Sequence, residues 1–141
     1  MNIGLLGVGS ALAFAAIGSA IGAGSAGMSA VGAWKKAFAQ NKPAPFLLVA
    51  FVGAPLTQTI YGFILMNAIL DSAGESLLLL GAGLLGGIAM GFSAWFQGRA
   101  GAVASDALAE TGKGFGNYII VLGLIETVAL FVMVFLLQVV G

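Results

Sequence analysis

The strongest constraint on this chain is where its charges stand. Its ten charged residues, in a length of 141, fall into three islands and one isolated acid. Lys35, Lys36 and Lys42 form the first island, Asp71 and Glu75 the second, and Arg99, Asp106, Glu110 and Lys113 the third. Glu126 stands alone in an apolar run. The islands leave four apolar stretches, at roughly 3–34, 44–70, 76–109 and 115–140. Crossing a bilayer takes about 20 apolar residues in a helix. In lipid a backbone must satisfy its own polar groups, which leaves helices or closed barrels. The expected fold class is therefore an all-α membrane protein with four transmembrane helices, two of them long enough to project at their polar ends.

Composition agrees and excludes much else. The chain is 60% hydrophobic and 7% charged, against about 25% charged in soluble domains. Its 23 glycines and 3 prolines follow no G-X-Y period, which excludes collagen. Small residues at this density let membrane helices approach closely. With no His and no Cys, zinc sites, thiol nucleophiles, disulfides and His-based acid–base catalysis are excluded. Met1-Asn2-Ile3-Gly4 lacks the basic start of a secretory signal, so the N-terminus is expected to remain in the mature protein. Net charge is zero and no basic patch forms, so lipid, not nucleic acid, is the expected surroundings.

All five basic residues lie in or near the connections between helices one and two and between helices three and four. The middle connection carries only acids. The positive-inside rule then puts both basic connections in the cytoplasm of a multi-pass cell-membrane protein, with both termini on the outer side.

The two halves repeat each other. At a shift of 74, Leu5, Leu6, Gly7, Gly9, Ser19 and Ala20 fall on Leu79, Leu80, Gly81, Gly83, Ser93 and Ala94. At a shift of 70, Gly53 and Thr57 fall on Gly123 and Thr127. The chain reads as two tandem hairpins of like orientation, residues 1–70 and 71–141. In the first helix Gly7, Ala11, Ala15, Ser19, Ala23 and Gly27 recur every four residues, as do Gly83, Gly87 and Gly91 in the third. Such stripes serve ordinary bundle packing. One small-residue helix per hairpin also suits a ring with a narrow inner circle.

Glu126 is the most informative residue. A carboxylate at mid-span costs about 3 kcal/mol on insertion scales, so an intramembrane acid reads as functional by default. The alternative is a protonated acid that joins two helices. Thr57 and Tyr61, four apart, share a helix face, and Gln58 stands about 100° around from Thr57. Gln97 lies on helix three between two polar islands. Pro55 has no amide hydrogen, so carbonyls in the preceding turn lose their helical donor. Such carbonyls persist in membranes where they are buried or bind something. Singly, Thr57 could bond its own helix, Gln58 and Gln97 could join helices, and Tyr61 could pack. Jointly they supply amide, hydroxyl, carboxylate and backbone oxygens, the donors that hard cations favour. A proton needs only the carboxyl and one acceptor. The repeat places Leu56 where the second hairpin has Glu126, and Ala23 where it has Gln97. One carboxylate site thus serves four helices.

Three segments carry a family resemblance: Ala54-Pro55-Leu56-Thr57-Gln58-Thr59-Ile60-Tyr61-Gly62-Phe63, Phe96-Gln97-Gly98-Arg99 and Leu124-Ile125-Glu126-Thr127. Together with the duplicated hairpins, they resemble the V-type ATPase rotor proteolipid, also known as the c or K subunit. The likeness is nearest to its bacterial sodium-transporting branch. The resemblance implies sodium held by Glu126, Gln97, Gln58, Thr57 and the carbonyl of Ala54, with Tyr61 hydrogen-bonded to Glu126. Leu56 follows the proline where that branch often has Gly. The resemblance further implies a ring of identical subunits, a stator subunit whose Arg helps displace the ion, and central-stalk subunits at the cytoplasmic loops. Sodium is then the transported ion and no other cofactor is expected. The chain has no G-x-x-x-x-G-K-S/T phosphate loop, so a non-catalytic subunit is expected, with ATP hydrolysis elsewhere in the complex. The same rotor carrying protons, a small proton-coupled transporter and a structural proteolipid are the alternatives.

Overall fold

The computed structural model describes residues 2–141. Among them stand four helices long and apolar enough to cross a membrane: α1 (Gly4–Ala39), α2 (Leu48–Asp71), α3 (Ser76–Thr111) and α4 (Phe115–Val140). Every regular element among the described residues is helical, as the apolar runs require.

Two boundaries differ from expectation. Helix α1 continues through Lys35 and Lys36 to Ala39. Lysine is a good helix former, and Lys36 in the last turn suits the negative end of the helix dipole. Past the helix end the chain turns at Asn41, whose φ is 52°, just before Pro43 and Pro45. The same prolines delay α2 to Leu48 instead of residue 44, because a residue before proline disfavours helical geometry. Trp34 pins the loop by donating Nε1–H to the Pro45 carbonyl at 2.8 Å. Between α3 and α4 the chain turns on Gly112 and Gly114, at φ 66° and 90°, a left-handed conformation that glycine adopts without strain.

Helices α1 and α3 lie side by side and parallel. Ser76 donates to Asn2 Oδ1 (2.8 Å), Ser29 to the Ala102 carbonyl (2.7 Å), and Lys36 pairs with Glu110 (3.2 Å). These contacts are 74, 73 and 74 positions apart. The sequence shift between the halves is therefore also the spatial register of the two helices. Backbones meet directly: a Cβ at Gly7, Gly18 or Gly22 would run into the backbone of Leu79, Gly91 or Ala94.

The contact stripe departs from the strict four-residue series. It follows Gly7, Ala11, Ala15, Gly18, Ser19, Gly22, Ala26 and Ala30, while Ala23 and Gly27 are only half-buried. Each four-residue step turns about 400°, so a strict series drifts off the interface and a three-residue step restores it.

All four helices end level at the acidic turn, where Ser72 Oγ also donates to the Val140 carbonyl. At about 1.5 Å per residue, α1 and α3 reach about 54 Å, well beyond a hydrocarbon core of about 30 Å. Their excess length therefore projects at the basic end, beside the exposed Lys36–Glu110 pair.

Candidate functional site

Glu126 lies near the middle of α4, about 17 Å from its first residue and about 21 Å from its last. It is half-buried, and both carboxylate oxygens face donors. Tyr61 of α2 donates its hydroxyl to Oε1 at 2.8 Å. Gln97 of α3 donates Nε2–H to Oε2 at 3.1 Å.

Behind the acid, a polar chain crosses the bundle. Gln97 Nε2 also donates to the Leu122 carbonyl of α4 at 3.0 Å. Its Oε1 accepts from Gln58 Nε2 at 2.8 Å. Gln58 Nε2 stands 3.3 Å from Ser93 Oγ, which donates to the Ile125 carbonyl at 2.9 Å. Thr57 Oγ1 lies 3.2 Å from Gln58 Oε1 and 3.1 Å from the Ala54 carbonyl. Gln58 and Gln97 are fully buried. In an apolar medium such groups are tolerated only when satisfied, and each amide here has partners at both ends.

The local sequence explains the placement. Pro55 interrupts α2 with a 3-10 turn over Ala54–Leu56, in which the Thr57 amide bonds the Ala54 carbonyl. Just past that turn, Gln58 meets Ser93 and Gln97 of α3. The carbonyl four residues before the proline, that of Phe51, is buried against α3, where a Cβ on Gly101 would stand 2.9 Å from it. The Ala54 carbonyl already receives Thr57.

Thr57, Gln58, Tyr61, Gln97, Glu126 and the Ala54 carbonyl thus come together from three helices. Sequence reasoning missed Ser93 as a member, although it stood out as a repeat anchor. The signal was its position four residues before Gln97, on the same helix face. It also missed the Leu122 and Ile125 carbonyls, which only the approach of α4 reveals. In the first hairpin Leu56 is 53% exposed, and the buried Ser19 hydroxyl has no hydrogen-bond partner among the described residues. Ser19 is the repeat counterpart of Ser93, so the polar chain formed on one side only.

No group of three or more His, Cys, Asp or Glu forms among the described residues. The site offers one carboxylate with neutral amide, hydroxyl and carbonyl oxygens. One negative charge neutralises one monovalent cation, whereas a divalent ion would leave a net charge in low dielectric. The chemistry fits a monovalent cation or a proton. The Lys36–Glu110 pair is exposed at the projecting helix ends and has no part in it.

Residues 80–138 match the family model of the ATP synthase C subunit. That segment contains Ser93, Gln97 and Glu126 but not the α2 members of the polar chain. Over 132 residues, 92% of the chain, the sequence is 34% identical to an A-type ATP synthase subunit K of Methanocaldococcus jannaschii. The chain spans 57% of that protein's length. The relative is archaeal, so the likeness stands at the level of A/V-type rotor proteolipids and does not single out a bacterial sodium-transporting branch.

Proposed function

From the likeness to A/V-type ATP synthase rotor proteolipids, we propose that the chain is a rotor subunit of that kind and carries sodium on a membrane ring. The observation that supports this most is a polar chain on a single mid-membrane acid: Tyr61 and Gln97 bond Glu126 directly, Gln58 bonds Gln97, and Thr57 bonds Gln58. A structural glutamate joining two helices needs one partner. Here three helices supply oxygens in excess of that need.

Glu126 carries the charge. Gln97 Oε1, Gln58 Oε1, Thr57 Oγ1 and the Ala54 carbonyl are the neutral ligands, and Tyr61 steers the carboxylate. Sodium enters from one side of the membrane and neutralises Glu126, and the neutral site then crosses lipid as the ring turns. A stator Arg displaces the ion at the other side, and ATP turnover belongs to other subunits. Identical copies close the ring through faces rich in exposed apolar residues, such as Phe14, Ile17, Phe92 and Val103. The projecting basic ends of α1 and α3 face the cytoplasm and meet the central stalk, while lipid covers the remainder.

The test is labelling of Glu126 by a hydrophobic carbodiimide, which adds to a protonated carboxyl. A cation seated on the carboxylate excludes that proton. Sodium should therefore protect Glu126, and potassium at equal ionic strength should protect far less. Labelling that follows pH alone and ignores saturating sodium would make the proton the cargo.

A further inference from the structure

From the hydrogen bonds around Gln58 we infer that Ser93 is a positioning residue, which holds the Gln58 amide so that its oxygen, not its nitrogen, faces the transported cation. This rests on the sodium reading above.

An amide has two ends of similar shape and opposite use. Its oxygen can ligate a cation, whereas its NH2 group repels one. A buried glutamine in a cation site therefore needs something to select its orientation. Ser93 has one hydroxyl proton, and it is directed to the Ile125 carbonyl at 2.9 Å. Toward Gln58 the Ser93 oxygen then offers only lone pairs, which accept Gln58 Nε2–H at 3.3 Å. The other hydrogen of that nitrogen goes to Gln97 Oε1 at 2.8 Å. Gln97 is itself oriented by the Leu122 carbonyl, which accepts its Nε2–H at 3.0 Å. Two backbone carbonyls of α4 thus set both amides, one directly and one through Ser93. Gln58 Oε1 is left 3.2 Å from Thr57 Oγ1, on the ligand side. A flipped Gln58, itself fully buried, would oppose its oxygen to two acceptors, so Ser93 reinforces the choice that Gln97 begins.

Because Gln97 alone still favours the correct orientation, removing Ser93 should weaken sodium binding without abolishing it. The loss of one net hydrogen bond corresponds to about fivefold to tenfold in affinity. The experiment titrates sodium protection of Glu126 against a hydrophobic carbodiimide in membranes holding the whole complex. Ser93→Ala should raise the half-protecting sodium concentration by about fivefold to tenfold, each variant being referred to its own sodium-free labelling, with ring recovery unchanged. Ser93→Thr, which keeps the hydroxyl, should restore it. In a Gln58→Leu background, Ser93→Ala should add nothing, since the two act through one amide.

Wild-type affinity in Ser93→Ala would overturn the inference and leave the sodium reading standing. Failure of Ser93→Thr to restore binding, loss of the ring in Ser93→Ala, or a full additional effect in the Gln58→Leu background would show a packing role and overturn it likewise. Wild-type labelling indifferent to sodium would remove the sodium reading, and this inference with it.

Discussion

Tyr61 reaches Glu126 across 65 positions of sequence, with its hydroxyl 2.8 Å from Oε1. The bond ties α2 to α4 at the depth of the acid. It also fixes one carboxylate oxygen, so that the other orientation-setting contact, from Gln97, closes on Oε2. Two helices with few other polar links are thereby registered at the mid-span acid.

Tyr61→Phe removes that donor and leaves the ring in place. Hydrogen bonds to charged groups contribute about 1.5–3 kcal/mol, so the half-protecting sodium concentration should rise by at least about tenfold. Thermal stability of the purified subunit ring should change little, because the phenyl ring still packs against the buried cluster that contains Leu65 and Met133. A protection curve identical to wild type would show that Tyr61 has no part in seating the cation.

Gly87 tests the helix seam. A Cβ there would stand 2.5 Å from the Ser10 carbonyl and 3.1 Å from that of Ala11. The clash is between α1 and α3 of one chain, so Gly87→Leu should destabilise the subunit before it affects contacts between copies. Overpacking costs about 1–3 kcal/mol, and more where backbone must move. Gly81→Ala, with nothing within 4 Å of the added carbon, is the control and should be neutral within about 0.5 kcal/mol. Denaturation midpoints in one detergent compare the two, and equal midpoints would contradict the seam.

The four spans were legible because charge is so costly in lipid that ten charged residues suffice to mark the boundaries. Glu126, Gln97, Gln58, Thr57 and Tyr61 stood out for the same reason: each is polar inside an apolar run. Ser93 escaped because serine is tolerated in membrane helices and needs no ligand to account for it. The fate of the carbonyl freed by Pro55 was not legible either. A missing amide hydrogen can be read from sequence, but the direction of the Phe51 oxygen depends on how closely Gly101 lets α3 approach. The small-residue stripe was legible in kind and misjudged in phase, since about 3.6 residues per turn does not keep step with four.

The proposed orientation rests on the basic ends of the helices. Cysteines introduced at Asn41 and Ala73 lie at opposite ends of α2 and are both exposed. With the positive-inside rule, a membrane-impermeant maleimide should label Asn41→Cys only from the cytoplasmic side and Ala73→Cys only from the outer side. Labelling of both from one side would rule out the membrane crossing by α2, and reversed sides would place the stalk at the acidic turn.

The most discriminating substitution is Gln97→Ala. It deletes a proposed oxygen ligand and both amide donors but leaves the acid and Tyr61 in place. Leu122 and Glu126 each lose a donor, and Gln58 loses the acceptor for its shorter bond. Leaving buried polar groups unpaired costs about 1–3 kcal/mol each. The sodium needed for half-protection should then rise by at least about tenfold, while carbodiimide still reaches Glu126 when sodium is absent. Restoring an amide nearby is the stricter half of the test. Gln97→Asn keeps the group but shortens its reach by one methylene, so it should recover little. A proton rotor gives a different pair of results: sodium protects neither wild type nor variant, and Gln97→Ala alters only the pH range over which Glu126 reacts.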